Sequence, residues 1–493
     1  MSPEAIRVRS NLIMAAFFGL NLIFMSCAVN PVTGQKELSL IPASQEKTLG
    51  EQTDGEIRSQ YGVVADEDLV AYIKGVGESI VPHTHRPELG YHFAVLDSPV
   101  INAFAVPGGY VYVTRGILAL MSSEAELATV VGHELGHINA RHSLRRLSQM
   151  ILVQTGLALI SAVDKRLAEI AGLAGVGMQL LFLKYSRDDE YQADSLGVEY
   201  ARKAGWSPQY MIDFFTALEK IGDLSGGRSL PGFLSTHPLT KDRIEKVKTM
   251  VTEEDRRLKV NRDAYLLKLQ DLVYGDDPRQ GFIEKGKFYH PQMKFVFSLP
   301  EDWAVQNTAS QVRMASADGR AALVLMVEKS AEDLRTYATK KAATIKGATL
   351  MAEDKIETGS LPSYHAYYLL EREEGETLYL RLGLIRLGEA VFSFFGLAPW
   401  RNYPPYDEKF KASIRSFDQL KDPAYLNRQP LRLTLIRASG KERLSQIFER
   451  AGMPRDLWPK FAIMNGFELE STPPTNYLVK TVWLKGQTRP SQL

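Results

Sequence analysis

The segment Gly132-His133-Glu134-Leu135-Gly136-His137 constrains this chain more than any other, because its two histidines act together only on a helix. Residues four apart on a helix lie about 40° apart around its axis, so His133 and His137 point the same way. Two imidazoles on one face can grip one zinc ion, and Glu134, beside the first of them, can reach a water there as general base. The flanking residues supply the helix. Ser123 with Glu126 makes a capping box at its start, and Leu127, Val130, Val131, Leu135 and Ile138 give it an apolar stripe.

A catalytic zinc takes three protein ligands and leaves one position open. The best downstream candidate is Glu190, in Ser186-Arg187-Asp188-Asp189-Glu190-Tyr191-Gln192-Ala193-Asp194. On a second helix crossing the first, it would complete a His, His, Glu set. Asp194, four residues on, would share its face and accept the other N–H of a ligating histidine. Spacing alone equally allows this acidic run to be a solvated helix face.

Around these segments the pattern is mixed. Helices are expected over about 43–60, 66–80, 188–204 and 208–222, and short strands over 91–96, 101–106 and 110–114. In the second strand, Asn102, Ala103 and Phe104 form a candidate substrate-binding edge, which would pair with an extended peptide backbone by strand addition. A plain core strand is the competing reading. Two apolar segments, about 150–163 and 168–183, are short for membrane spans and divided by Asp164-Lys165-Arg166, so buried or lid-like helices are expected there.

A turn-rich boundary at Tyr274-Gly275-Asp276-Asp277-Pro278 ends a first domain, 27–275. Residues 285–420 read as an α+β domain with a largely antiparallel sheet and one helix over about 330–346. Residues 430–484 read strand, helix, helix, strand. The expected fold class is therefore α+β and multidomain, with a mainly helical first domain bearing a small sheet.

The amino terminus reads as an export signal over 1–26. Arg7 and Arg9 precede an apolar run from Leu12 to Met25, which is too short to span a bilayer comfortably. The run ends at Phe24-Met25-Ser26-Cys27, which resembles the bacterial lipobox, so Cys27 is the expected lipidation site. Ala28 after the cysteine resembles lipoproteins sent to the outer membrane, placing the body in the periplasm on a lipid anchor. Cys27 is also the single cysteine, which excludes an internal disulfide and a cysteine metal cluster. With 59 basic and 58 acidic residues the net charge is +1, and nothing electrostatic argues for nucleic acid.

The pairing of HExxH with Glu190-Tyr191-Gln192-Ala193-Asp194 resembles the HtpX- and BepA-type zinc metallopeptidases, metallopeptidase family forty-eight. Asn102-Ala103-Phe104-Ala105, Pro107-Gly108-Gly109-Tyr110 and Ser235-Thr236-His237-Pro238 strengthen that resemblance, as does Asn30-Pro31-Val32-Thr33-Gly34 toward its lipoprotein members. It implies a zincin fold over about 27–275, one zinc ion held by His133, His137 and Glu190, and Glu134 as base. His237 would then stabilise an oxyanion or occupy the open position in a self-inhibited resting state, unless it is a structural loop histidine.

His142 reads as a histidine supporting the ligands or the fold, His83 and His85 as surface residues, and His92, His290 and His365 carry no signal. Sequence-tolerant binding suits unfolded or misfolded protein substrates, with outer-membrane assembly components as further partners. A chaperone-like assembly factor with a self-inhibited or structural zinc is the second reading. Residues 285–420 resemble PsbP-like domains, through Phe288-Tyr289-His290-Pro291, Trp303 and Ser416-Phe417. Residues 430–484 resemble LysM modules, which implies peptidoglycan as a partner, although Gly440-Lys441-Glu442 stands where such modules carry Gly-Asp-Thr.

Overall fold

The structure is a computed structural model that describes residues 27–155, 184–224, 232–371 and 376–484. The export signal and most of the two apolar segments lie outside the described residues. Among the described residues no helix is long and apolar enough to cross a membrane. Among the described residues the chain divides into two compact units, one holding 27–58, 62–275 and 431 onward, the other 59–61 and 276–430.

In the first unit the helices Ala43–Tyr61 and Glu67–Ile80 lead into a three-stranded sheet. His92–Leu96 pairs in parallel with Tyr110–Thr114, which pairs on its other side with antiparallel Ala103–Val106, so Ala103–Val106 is an edge strand. The motif helix, Glu124–Asn139, follows and is buried along its whole length. Ser123 Oγ accepts from Glu126 N at 3.1 Å, while the Glu126 carboxylate accepts from Ser122 N at 3.0 Å and from the Ser123 hydroxyl at 3.5 Å rather than from the cap residue's own N–H. The helix Arg187–Lys203 crosses it, started by a complete capping box between Ser186 and Asp189.

The two helices approach backbone to backbone because both present small residues. A Cβ added at Gly132 would lie 3.1 Å from Gly197 O, one at Gly136 would lie 3.2 Å from Ala193 Cα, and one at Gly197 would lie 3.0 Å from His133 N. Side chains at the crossing would hold the helices apart and spread the groups they carry.

The motif helix ends at Ala140, where Arg141 turns the chain with a left-handed φ of 55°, and a new helix, His142–Thr155, folds back. His142 is therefore not on the continuation of the motif helix.

The segment expected as a C-terminal module has the order strand Leu431–Arg437, helix Leu444–Arg450, helix Trp458–Asn465, strand Leu478–Leu484. It returns to the first unit. Leu431 pairs with Tyr274, and Leu433, Phe448, Phe461 and Val479 share one buried cluster with Leu127 and Val131 of the motif helix. Lys480, 1% exposed, donates to the carbonyls of Ala119, Leu120 and Met121 at 3.2, 2.9 and 2.9 Å and to Ser122 Oγ at 3.1 Å. It thus binds the chain where it enters the motif helix.

The second unit is built on a seven-stranded antiparallel sheet and a smaller four-stranded one. Helices Leu334–Ala343 and Pro404–Arg415 and the short Pro423–Leu426 accompany them among the described residues; Pro404–Arg415, and the hairpin Ala304–Asn307 with Gln311–Ala315, add to the expected elements. Its core is aromatic, with Phe288, Phe295, Phe297, Phe392, Phe394 and Phe417 buried together.

Candidate metal centre

His133, His137, Glu190 and His237 bring one donor atom each within 4.8 Å of one another, all buried. His133 Nε2 lies 3.0 Å from His137 Nε2 and 3.6 Å from Glu190 Oε2; His137 Nε2 lies 3.6 Å from Glu190 Oε1. His237 Nδ1 completes the set at 3.3 Å from His133 Nε2 and 3.0 Å from Glu190 Oε1. Glu134 faces the same point, its Oε1 3.6 Å from His237 Nε2, and neither of its buried oxygens has a hydrogen-bond partner among the described residues.

Each donor is aimed by a neighbour. Asp194 Oδ1 sits 2.9 Å from His133 Nδ1, which puts the proton there and turns the Nε2 lone pair inward. Arg243, 2% exposed, donates to Asp194 Oδ1 and Oδ2 at 2.7 and 2.8 Å, to Glu190 Oε2 at 2.7 Å and to Pro238 O at 3.1 Å. One guanidinium thereby ties together Glu190, the partner of His133 and the loop carrying His237. Tyr185 stacks on His137 with ring centroids 3.9 Å apart, and Phe233 stacks on His237 at 4.6 Å.

Electrostatics follow from burial set against these neighbours. Burial raises the Glu134 carboxyl above its ordinary range, against the pull of His237 and His133. For Asp194, burial is outweighed by Arg243 and His133, which hold its carboxyl down at about 2. Glu190 is lowered in the same way, burial yielding to His237 and Arg243. Burial favours neutral His237, but Glu190 and Glu134 overcome it and raise its pKa. His137 is lowered well below the ordinary imidazole value by burial and by the neighbouring histidines.

The donor set fits zinc. With zinc–ligand bonds of about 2.0–2.1 Å, tetrahedral donors stand roughly 3.3 Å apart; here the close separations from His133 and Glu190 run from 3.0 to 3.6 Å, and all four residues keep a donor within 4.8 Å of the others. Two imidazole lone pairs 3.0 Å apart repel each other unless a cation lies between them. Two nitrogens, a carboxylate and a third nitrogen also form a borderline-soft set that suits this metal.

The structure thus brings together His133, Glu134, His137, Glu190, Asp194 and His237. Asn102, Ala103 and Phe104 are placed beside the loop that carries His237. Ala103 turns its side chain into the core and Phe104, buried on the opposite face of the strand, stacks on Tyr112, while Asn102 is half-buried just before the edge strand. The short helix Gly232–Thr236 lies over this edge, with Phe233 N donating to Ile101 O at 2.9 Å. Cys27 opens the first described strand.

Arg243 and the small-residue crossing were not anticipated. The signals were present, in an arginine just inside the helix Lys241–Met250 after the Thr240 cap and in Gly132, Gly136, Ala193 and Gly197 at helical spacing, but each acquires its role only against a distant partner.

Residues 68–251 match Peptidase family M48. This region belongs to that family. The matched region contains every residue of the cluster and lies wholly within the first unit. The beta-barrel assembly-enhancing protease of Escherichia coli (strain K12) is 26% identical over 316 residues, which cover 62% of this chain and 61% of that protein. The mitochondrial metalloendopeptidase OMA1 of Arabidopsis thaliana is 30% identical over 219 residues, covering 41% and 44%. The chain therefore spans less than two thirds of the length of these relatives. A solved cyanobacterial PsbP, from Synechocystis sp. PCC 6803, aligns with 27% of this chain and 91% of its own at 12% identity, with a TM-score of 0.24.

Proposed function

We propose that the chain is a zinc-dependent metalloendopeptidase acting on misfolded or unassembled proteins of the bacterial envelope, with His237 holding it in a self-inhibited resting state. The observation that carries this reading is Glu134. Its carboxylate is fully buried, without a hydrogen-bond partner among the described residues and 3.6 Å from His237 of the donor cluster. A purely structural metal site has no use for such a group, since burying it costs stability.

When bound, zinc supplies Lewis acidity, polarising a carbonyl and acidifying a water. Glu134 takes the proton from the attacking water at one carboxylate oxygen and gives it to the leaving amine. Its raised pKa makes it a stronger base for the first transfer. His133, His137 and Glu190 would hold the metal, and Asp194 and Arg243 keep His133 and Glu190 in place.

His237 Nδ1 stands among the donors, and its own segment covers the edge that a substrate strand would use, through Phe233 N and Ile101 O. Release of Gly232–His237 would therefore withdraw His237 from the donor cluster and free the strand edge together. Asn102 Oδ1, buried and without a partner among the described residues, is placed to receive a substrate N–H once that segment leaves.

The envelope setting rests on the export signal, on Cys27 as lipidation site and on the printed name of the Escherichia coli relative. The test is hydrolysis of casein by the zinc-loaded protein. Glu134→Gln should keep zinc and lose cleavage, by a hundredfold or more, about what a general base contributes, and His237→Ala should cleave faster than the parent. Full activity in Glu134→Gln would sink the assignment. No cleavage in either the parent or His237→Ala would leave the chaperone-like reading in its place.

A further inference from the structure

His133 and His137 look equivalent in the motif but are supported differently. A neutral imidazole carries one proton, and a histidine that ligates through Nε2 must carry it on Nδ1. For His133 the neighbour at Nδ1 is a carboxylate, which only accepts. For His137 the neighbour is the Nδ1 of His142, at 2.8 Å.

A contact between two imidazole nitrogens has one donor and one acceptor, and either ring can play either part. Only one arrangement leaves His137 Nε2 with a lone pair for a metal. In the other, His142 donates, and His137 carries its proton on Nε2, facing His133.

The choice is made one residue further out. His142 Nε2 lies 2.9 Å from Gln192 Oε1 and 3.7 Å from Asp189 Oδ1. Both oxygens are acceptors on the helix that carries Glu190; Gln192 Oε1, at hydrogen-bond distance, calls for a proton on His142 Nε2, and the nearby Asp189 carboxylate, itself held by Arg145, favours the same end. The Nδ1 of His142 is then the lone-pair end, and His137 Nδ1 must donate to it. His142 is fully buried, and Tyr185 stacks on His137 at 3.9 Å with an interplanar angle of 24°, so the ring planes are held. The left-handed turn at Arg141 is what brings His142 back against His137.

We propose that Gln192 and His142 form a hydrogen-bonded relay that fixes the tautomer of His137 and so makes it a metal ligand. This rests on the metal-site reading above, and it makes Gln192 and His142 positioning residues. The proton assignments run outward from the site. His137 Nδ1–H donates to His142 Nδ1, and His142 Nε2–H donates to Gln192 Oε1. A carboxylate fixes one ligand and an amide, acting through a neutral ring, fixes the other.

The test uses the full chain with Gln192, a half-buried helix position, replaced in two ways. Gln192→Glu keeps an acceptor oxygen at the end of the relay; Gln192→Met removes it. Zinc affinity is measured by competition with a chromophoric chelator, alongside the thermal midpoint of the metal-free proteins. The expected result is affinity lowered ten- to a hundredfold in Gln192→Met, the usual effect of losing an outer partner, with near-parental affinity in Gln192→Glu. Selective 15N-histidine spectra of the metal-free parent should show His142 as the Nε2–H tautomer and His137 as the Nδ1–H tautomer.

Parental zinc affinity in Gln192→Met, or a His142 proton on Nδ1, would overturn the relay. Failure of the parent itself to bind zinc would instead overturn the metal site, and the tautomers would still be read in the metal-free protein.

Discussion

Each compact unit contains one fully buried arginine held by two carboxylates, and the two clusters differ in what lies behind those carboxylates. In the second unit Arg381 donates to both oxygens of Asp354 at 2.7 Å and to Asp407 at 2.7 and 2.8 Å. Asp407 is closed off by Tyr379 Oη at 2.6 Å and Lys411 Nζ at 2.9 Å. In the first unit Arg243 holds both oxygens of Asp194 and one of Glu190, but Asp194 Oδ1 also faces His133, Glu190 Oε1 turns to His137 and His237, and Glu134 beyond them has no hydrogen-bond partner among the described residues. A buried charge network that closes on itself specifies a fold. One that ends in unpaired groups is built for something else to complete it.

The sharpest way to break this comparison is to remove each arginine. Arg243→Met and Arg381→Met should each cost roughly 3–5 kcal/mol, because each strands two buried or half-buried carboxylates. Only Arg243→Met should also weaken zinc binding, as read by chelator competition. Equal zinc affinity in both variants would make Arg243 a structural residue like its counterpart.

Lys480 offers a milder contrast, a buried amine satisfied mainly by backbone carbonyls. Lys480→Met should lower the unfolding free energy in denaturant by about 2–3 kcal/mol, and a truncation before Leu431 should not fold as an intact first unit. An unchanged midpoint for Lys480→Met would show that the C-terminal segment does not anchor the entry to the motif helix.

The smallest effect concerns pH. In the metal-free protein Asp194 has its pKa held at about 2, below the ordinary value of 3.8. A depressed carboxyl stabilises the fold above its unfolded pKa, and that contribution is lost as pH falls through the folded value. Denaturant midpoints should therefore drop between pH 4 and 2 by the equivalent of roughly 2 kcal/mol, and Asp194→Asn should flatten this slope. A slope unchanged in Asp194→Asn would separate the acid sensitivity from the site.

How far the sequence made all this legible depends on whether the information was local. His133, Glu134 and His137 could be placed because three residues within one helical turn carry the chemistry, and Ser123 marks where that helix starts. Glu190 and Asp194 sit on a helix with its own capping box, but their facing the motif helix depends on Gly197 and Ala193 meeting Gly132 and Gly136, a match between distant segments. Arg243 and Gln192 look like ordinary polar helix residues until their partners are known. The return of residues 431–484 to the first unit was hidden for the same reason, since the apolar faces of Phe448 and Phe461 do not reveal what they pack against. The helix Pro404–Arg415 was legible after all, with prolines opening it and Tyr406, Phe410 and Ile414 at helical spacing.

The central claim is that Glu190, brought from a second helix, completes a zinc site with His133 and His137. Metal analysis of the purified full chain beside its Glu190→Ala variant tests this most directly. The account predicts one zinc per chain in the parent and loss of most of it in Glu190→Ala, with Glu134→Gln retaining the full equivalent. Undiminished zinc in Glu190→Ala would contradict it.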